Sequence, residues 1–275
     1  MADVFPELTE SVLNRMSGAP PLLREVMTLL VRHLHSFVRE AELTEDEWRT
    51  GIDFLTRAGQ MCSETRQEFI LLSDILGVSM LVDAIANHSA QGITESTVLG
   101  PFYAGEQREL DKGESILLRA EKGELLGMKG RVTDPYGSPI AGAKVEVWQT
   151  APNQLYDVQD ESQPQGHLRA TFRTDRLGEY AFKTILPVSY PIPDDGPAGQ
   201  LLSSLGRHPF RPAHIHFMIT APDHKMLVTH LFLQGDKYLE SDAVFGVKPS
   251  LVMTPVLQDG SMTVTYDFGL APLAT

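Results

Sequence analysis

The first third of the chain carries apolar residues at the spacing of amphipathic helices, from residue 5 to about residue 87. One stripe contains Leu22, Leu23, Val26, Met27, Leu30, Val31 and Leu34, and Phe37 and Val38 continue it. Thr44 and Glu47 stand three residues apart in the S/T-x-x-E pattern of a capping box, which predicts a helix start at this point. A further helix is predicted from about residue 63 to residue 72. The pattern therefore predicts a helical N-terminal domain.

After about residue 92 the pattern changes to short β-rich runs separated by Gly and Pro. Strands are predicted at residues 126–132, 143–149, 169–174, 179–183, 213–220, 228–233 and 261–268. Because no helical pattern separates them, an antiparallel β-sandwich is expected. The fold class is α+β, with a helical N-terminal domain at 1–93 followed by an antiparallel β-sandwich domain at 94–275. Residues 187–212 show neither period, which predicts a long loop, functional or disordered.

Composition and charge narrow the function classes. Hydrophobic residues make up 42% of the chain and charged residues 21%, which is typical of a globular protein. A net charge of −13 disfavours binding to nucleic acid or to anionic membranes. No apolar run approaches the roughly 20 residues that cross a bilayer, and the opening MADVFPELTE has no basic leader region. With the single cysteine, Cys62, these features predict a cytoplasmic protein.

An alternating pair of histidines is the most informative candidate for chemistry. His214 and His216 lie in a predicted strand, so both imidazoles should face the same side of the sheet. This pattern indicates either a metal site or a half-exposed strand surface. Neither an H-E-x-x-H motif nor a second cysteine is present, which argues against common zinc sites. Further candidate ligands in loops or at strand ends are Asp157, Asp160, Asp175, Asp194, Asp195, Tyr156 and Tyr190.

Four further motifs follow one another along the chain. They are TESTVLGPFY at 94–103, Tyr156 after WQTAPN, Tyr190 in YPIP, and RPAHIH from Arg211 to His216. Together they resemble the intradiol ring-cleavage dioxygenases, in which the first motif is similar to the linker into the sandwich. The helical N-terminal domain is similar to that of the catechol and hydroxyquinol branch. The protocatechuate branch lacks this domain.

The resemblance implies one Fe(III) per subunit, with Tyr156, Tyr190, His214 and His216 as its ligands. Phenolate oxygen is a hard anionic donor, which suits the ferric state. Tyr190 is implied as the tyrosinate that leaves the metal and helps to take a substrate proton. Arg211 is implied as the cation that stabilises negative charge on the ring. The expected substrates are an aromatic diol or triol and O2.

The resemblance also implies a substrate pocket, formed by Leu71, Asp74, Val98, Leu99, Gly100, Pro101, Phe102, Ile192, Pro193, Arg211 and Val244. Hydroxyquinol enzymes place an aspartate where Asp74 stands, and its carboxylate could accept a hydrogen bond from a third ring hydroxyl. The alternative is that Asp74 caps or pairs locally on its helix. His230 stands where the catechol branch carries glutamine, and its role is open.

Three functions are therefore weighed. The first is cleavage of hydroxyquinol (1,2,4-trihydroxybenzene) to 3-hydroxy-cis,cis-muconate, or its tautomer maleylacetate. The second is cleavage of catechol or a substituted catechol to a cis,cis-muconate. The third, a non-catalytic transthyretin-like sandwich module, is suggested by the runs at 130–135 and 139–145. The resemblance also implies a homodimer through the N-terminal helices, which can enclose lipid at the interface.

Overall fold

The computed structural model describes residues 5–63, 66–87, 91–258 and 260–273. Its internal contacts form two compact units, Met1–Gln60 and Met61–Thr275. The segment between Met61 and residue 93 thus belongs to the unit that also contains the sandwich. The domain boundary at residues 93 and 94 stays a prediction from the sequence.

The first unit consists of helices. They are α1 (Pro6–Asn14), α2 (Pro21–Glu40) and α3 (Glu45–Met61), which ends one residue beyond the unit. The predicted capping box is confirmed, because the Glu47 carboxylate accepts a hydrogen bond from the Thr44 amide (2.9 Å) and the Thr44 hydroxyl accepts one from the Glu47 amide (3.3 Å). These bonds satisfy two amides at the helix start that have no intrahelical partner.

The second unit begins with two short helices, α4 (Glu68–Ile75) and α5 (Val78–Ala86). Gly77 joins them in the left-handed conformation, with a φ of 73°. Within the described part of the chain, no single helix is long and apolar enough to cross a membrane. The α4 and α5 helices reach that length and hydropathy only when taken together, and they are bent by 78° relative to each other.

The sandwich consists of two five-stranded sheets. The first contains β1 (Leu125–Thr133), β4 (Glu179–Ile185), β10 (Val256–Gln258), β11 (Ser261–Thr265) and β12 (Phe268–Gly269). The second has the order β3-β2-β7-β8-β9, in which β2 is Lys144–Trp148, β3 is Arg169–Arg173, β7 is His214–Thr220, β8 is Leu227–Leu233 and β9 is Val252–Met253. The α+β sandwich is confirmed. Most pairings are antiparallel, and β1 pairs in parallel with β11 and β12, as β8 does with β9.

The two faces of the second sheet have different partners. Val145, Val147, Ile215 and Phe217 point into the main hydrophobic core, where they pack with residues of the first sheet such as Phe182. The alternate positions of the same strands point to the opposite face. Trp148 from that face packs in a separate cluster with Tyr156 and Tyr190. The two candidate tyrosines therefore lie outside the main core.

The long loop predicted at 187–212 contains regular structure that the sequence pattern did not predict. The segment contains β5 (Tyr190–Pro191), α6 (Pro197–Ser204) and β6 (Phe210–Arg211), with β5 paired to β6. Two-residue strands are too short to show a period in sequence. The α6 helix depends on a distant residue, because the buried Glu68 carboxylate accepts a hydrogen bond from the Ala198 amide (2.9 Å) in its first turn.

Candidate metal centre and substrate pocket

The register of the second sheet aligns four functional side chains in a row across its outer face. Arg169 on β3 pairs with Trp148 on β2, Trp148 pairs with His216 on β7, and His216 pairs with His230 on β8. All four side chains are buried. The Trp148 ring stacks on the His216 imidazole, with centroids 4.8 Å apart and planes 16° apart. Packing therefore fixes the orientation of this imidazole.

Two tyrosines from other segments of the chain lie close to His216 in this row. Tyr156 follows β2, and Tyr190 lies on β5, where its backbone pairs with Arg211. Their hydroxyls are 3.2 Å apart, and the Tyr156 hydroxyl is 2.8 Å from Nε2 of His216. Nε2 of His214 lies 3.1 Å from Nε2 of His216. The fold thus brings together all four ligands that the sequence suggested.

The protonation of His214 suits a metal ligand. Its Nδ1 lies 2.6 Å from the Pro212 carbonyl, which can only accept, so Nδ1 carries the proton and Nε2 presents a lone pair to the cluster. Burial lowers the pKa of His214 and of His216 well below the ordinary value, and the Arg211 charge lowers both further. Both imidazoles are therefore neutral, which is the form that binds metals.

Burial also raises the pKa of Tyr156 and of Tyr190, while the Arg211 charge opposes the shift in both. Without a further cation the two phenols stay protonated at neutral pH. Three pairs among the four donor atoms are 2.8–3.2 Å apart, a spacing expected for atoms bound to one ion at roughly 2 Å. The donor set of two phenols and two neutral imidazoles thus fits a metal ion of high charge, which would ionise the phenols.

His230 adds a third imidazole to this cluster. One ring nitrogen from each of His214, His216 and His230 lies within 4.8 Å of the other two, so three buried histidines could also hold a metal. Nδ1 of His230, however, is 3.3 Å from a terminal nitrogen of Arg211, whose N–H groups can only donate. Nε2 of His214 lies at the same distance from the other terminal nitrogen of Arg211, so this contact does not distinguish His230 from the candidate ligands.

The linker at 94–103 covers the cluster. The Phe102 ring stacks on Tyr156 at 4.6 Å between centroids and meets Tyr190 edge-on at 6.3 Å. Gly100 has a φ of +76°, and a Cβ on it would lie 3.3 Å from the His216 ring. Glycine therefore allows the backbone both to turn and to approach the imidazole closely.

Comparison with known proteins identifies the family of this chain. A family model described as "Dioxygenase" matches residues 98–272, and one described as "Catechol dioxygenase N terminus" matches residues 21–94. The 6-chlorohydroxyquinol 1,2-dioxygenase of Cupriavidus pinatubonensis is 50% identical over 96% of each chain. The hydroxyquinol 1,2-dioxygenase of a Rhizobium species is 51% identical over 88% of this chain and 83% of its own.

The chain belongs to the intradiol ring-cleavage dioxygenase family. It is an enzyme, so the non-catalytic sandwich module is excluded. The structure of hydroxyquinol 1,2-dioxygenase from Pseudomonas putida superposes with a TM-score of 0.91 at 45% identity, over 96% of this chain and 97% of the other. Catechol 1,2-dioxygenase from Acinetobacter radioresistens superposes with a TM-score of 0.83 at 30% identity, over 97% and 93%.

Three of the predicted pocket residues, which belong to separate segments of the chain, meet in one buried apolar cluster. Leu71 on α4, Ile192 after β5 and Val244 lie in one buried cluster with Ile75, Ala198, Leu202 and Ala243. Pro193 is half-buried beside Ile192, and Val98 is half-buried in the linker. Leu99 and Pro101 are exposed. The fold thus unites Leu71, Ile192 and Val244, while Leu99 and Pro101 lie at the surface.

Asp74 is buried on α4, with 6% of its surface exposed. Burial raises the pKa of its carboxyl group, whereas a hydrogen bond with Ser79 and the charge of Arg211 lower it. Asp74 therefore has a local partner, as one interpretation of the sequence proposed, and its hydrogen bond with a substrate hydroxyl stays a prediction.

Two contacts in this region were not anticipated from the sequence. Arg211 forms an ion pair with Asp242, and both residues are buried. Arg207 donates hydrogen bonds to the carbonyls of Ile75 and Ala243 and lies over the Phe245 ring at 4.6 Å. Each arginine joins segments that are far apart in the chain, so the contacts leave little trace in the sequence. The one local sign is the Asp-x-x-x-Gly spacing from Asp242 to Gly246, whose amide donates to the same carboxylate.

Proposed function

We propose that this intradiol dioxygenase acts on hydroxyquinol. The observation that carries the proposal is Asp74, a buried carboxylate on α4 between Leu71 and Ile75, which both belong to the apolar cluster. A buried carboxylate is costly unless it is hydrogen-bonded, and the third hydroxyl of hydroxyquinol is a suitable donor. The similarity to proteins named hydroxyquinol and 6-chlorohydroxyquinol 1,2-dioxygenase supports this substrate class.

The proposed reaction breaks the ring bond between the two carbons that carry vicinal hydroxyls. One molecule of hydroxyquinol and one of O2 give one molecule of 3-hydroxy-cis,cis-muconate, which tautomerises to maleylacetate. Both oxygen atoms of O2 enter the product, and each of the two separated carbons becomes a carboxyl carbon. The substrate itself supplies the electrons, so no external reductant is needed. Catechol or a substituted catechol, which would give a cis,cis-muconate, is the alternative substrate.

One Fe(III) per subunit is the proposed cofactor, held by Tyr156, Tyr190, His214 and His216. The spacing of the four donors supports this set, as does the neutral state of both imidazoles. When bound, ferric ion supplies the electron-accepting centre at which the diol and O2 react. His230 is left out of the set because the family resemblance assigns the four ligand positions to Tyr156, Tyr190, His214 and His216.

Arg211 and Tyr190 are the proposed catalytic residues. The Arg211 guanidinium lies 3.3 Å from Nε2 of His214 and interacts with the Tyr190 hydroxyl, so it borders the proposed metal position. A fixed cation in a dry site stabilises negative charge that develops on the ring. Tyr190, beside this cation, is the phenol better placed to exchange a proton with a substrate hydroxyl.

Side-by-side oxygen-uptake assays with hydroxyquinol and catechol test the substrate. We expect the iron-loaded enzyme to show at least tenfold higher kcat/KM with hydroxyquinol. Preference for catechol would refute the hydroxyquinol proposal and leave family membership intact. A visible tyrosinate-to-iron band that weakens in both Tyr156→Phe and Tyr190→Phe would support the ligand set, and an unchanged band in both would refute it.

We also propose a homodimer formed through the N-terminal helices. Exposed apolar side chains along α2 support it, namely Leu22, Leu23, Val26, Leu29, Leu30, Leu34, Phe37 and Val38. Light scattering of the purified protein should give twice the chain mass, and mass spectrometry of an organic extract would detect enclosed lipid. The cytoplasmic location and the lack of nucleic-acid or membrane partners remain predictions from charge and sequence pattern.

A further inference from the structure

Asp242 makes four contacts that connect the arginine of the site to the pocket wall. Its Oδ1 accepts hydrogen bonds from Nε of Arg211 (3.1 Å) and from the Val244 amide (3.3 Å). Its Oδ2 accepts from a terminal nitrogen of Arg211 (3.3 Å) and from the Gly246 amide (2.9 Å). The side chains of Arg211 and Asp242 are only 3% and 2% exposed. All four donors are therefore held in a region from which water is excluded.

The surrounding loop is built for this close approach. A Cβ at Gly246 would lie 2.9 Å from the terminal nitrogen of Arg211 and 3.2 Å from Oδ2 of Asp242. Only glycine leaves room for the guanidinium and the carboxylate together. Val244, two residues after Asp242, is a member of the apolar pocket cluster.

The guanidinium also contacts two histidines of the cluster, one of which, His214, is a proposed metal ligand. One terminal nitrogen of Arg211 lies 3.3 Å from Nε2 of His214, and the other lies 3.3 Å from Nδ1 of His230. A long side chain with several rotatable bonds keeps such a position only if other contacts restrict it. Asp242 supplies two of these contacts in the paired geometry that suits a planar guanidinium.

We infer that Asp242 is a positioning residue, which holds Arg211 in its catalytic orientation and fixes Val244 in the pocket wall through the same carboxylate. The inference rests on the proposed role of Arg211. Asp242 itself lies behind the arginine and needs no contact with substrate.

A double-mutant cycle tests whether Asp242 acts through Arg211. Asp242→Asn keeps the size of the side chain but replaces one acceptor oxygen with an NH2 group. That group would face two donors, the Gly246 amide and the Arg211 guanidinium. We expect kcat to fall about tenfold to hundredfold, because small misplacements of a catalytic group have effects of this size. Iron content and the visible band should remain those of the parent enzyme.

Arg211→Gln should by itself lower kcat. Adding Asp242→Asn to Arg211→Gln should lower kcat less than threefold further, because the residue that Asp242 positions is already gone. Multiplicative losses in the double variant would overturn the inference while keeping the role of Arg211. An Arg211→Gln variant as fast as the parent would overturn both.

Asp175 offers a matched control. Its carboxylate has the same bonding pattern, since it pairs with a cation, Lys112, and accepts from the amides two and four residues on, Leu177 and Glu179. Asp175→Asn should reduce thermal stability without changing kcat. If Asp242→Asn and Asp175→Asn both lower only the thermal midpoint, with kcat unchanged, Asp242 is a structural brace and the inference is wrong.

Discussion

Replacing Asp74 should change the preference for hydroxyquinol over catechol in a graded way. The side chain is almost fully buried, so a hydrogen bond to a substrate hydroxyl is not weakened by competing water. Its bond with Ser79 uses part of its capacity, but a carboxylate has about four acceptor positions and can accept another donor.

The magnitude follows from the charge of the acceptor. A hydrogen bond to a charged group contributes about 1.5–3 kcal/mol, which corresponds to a factor of about 10 to 100 in kcat/KM. Asp74→Ala should lower kcat/KM for hydroxyquinol by this factor. Asp74→Asn keeps one neutral acceptor worth about 1 kcal/mol, so about 0.5–2 kcal/mol is lost and kcat/KM should fall roughly twofold to thirtyfold. Both variants should raise kcat/KM for catechol, because they remove a buried carboxylate whose remaining acceptor positions catechol cannot fill.

The assay is oxygen uptake with both substrates, at equal iron content, for the parent enzyme and each variant. Ser79→Ala is the control, because it removes the local partner of Asp74 and leaves the carboxylate in place. It should change the substrate ratio less than threefold. The reasoning is refuted if Asp74→Ala lowers kcat/KM equally for both substrates, or if Ser79→Ala shifts the ratio as much as Asp74→Ala does. Either result would mean that Asp74 acts by bracing its helix.

Three further predictions concern other parts of the molecule. Arg207→Gln removes the hydrogen bonds by which Arg207 joins the end of α4 to the segment that carries Val244. KM for hydroxyquinol should therefore rise about threefold to tenfold, with the visible band unchanged. An unchanged KM would show that the pocket wall does not depend on this link. His214→Ala should lose most of the iron and the visible band, measured by metal analysis and absorption spectroscopy, and full iron occupancy would contradict the ligand assignment. Hydrogen bonding with Lys112 lowers the pKa of Asp175 from 3.8 to about 2, so its stabilising effect should be present above pH 4 and decline as the pH falls toward 2. The difference in thermal midpoint between the parent and Asp175→Asn should therefore narrow from pH 6 to pH 3. A constant difference would contradict this prediction.

The sequence predicted most of the sandwich because its strands are long enough to show alternation. The predicted strand at 126–132 appears as Leu125–Thr133, and the predicted strand at 213–220 appears as His214–Thr220. Where elements are shorter, the pattern fails. In the segment 187–212, β5 and β6 have two residues each, and α6 depends on the distant carboxylate of Glu68. Tertiary contacts of this kind leave no local period.

The candidate site, like the fold, was predicted from the sequence only in part. The local H-x-H motif identified His214 and His216, and the resemblance added Tyr156 and Tyr190. In the fold, contacts of hydrogen-bonding distance connect these four side chains. Asp242 lies 31 positions after Arg211, and Arg207 lies 132 positions after its partner Ile75. Such pairs depend on how loops close in space, and a single sequence carries no record of it.

The row formed by Arg169, Trp148, His216 and His230 limits how this enzyme can evolve or be redesigned. Each member sits on a different strand, and all four meet only because the pairing register places them side by side. A one-residue insertion within β2 would shift the strand by one position relative to β7. Trp148 would then point toward the main core, and a side chain that now faces the core, such as that of Val147, would lie beside the His216 ring. Insertions in the connecting loops leave the row in place. Viable length variation should therefore be confined to loops, and libraries that recombine homologous segments should join them between strands.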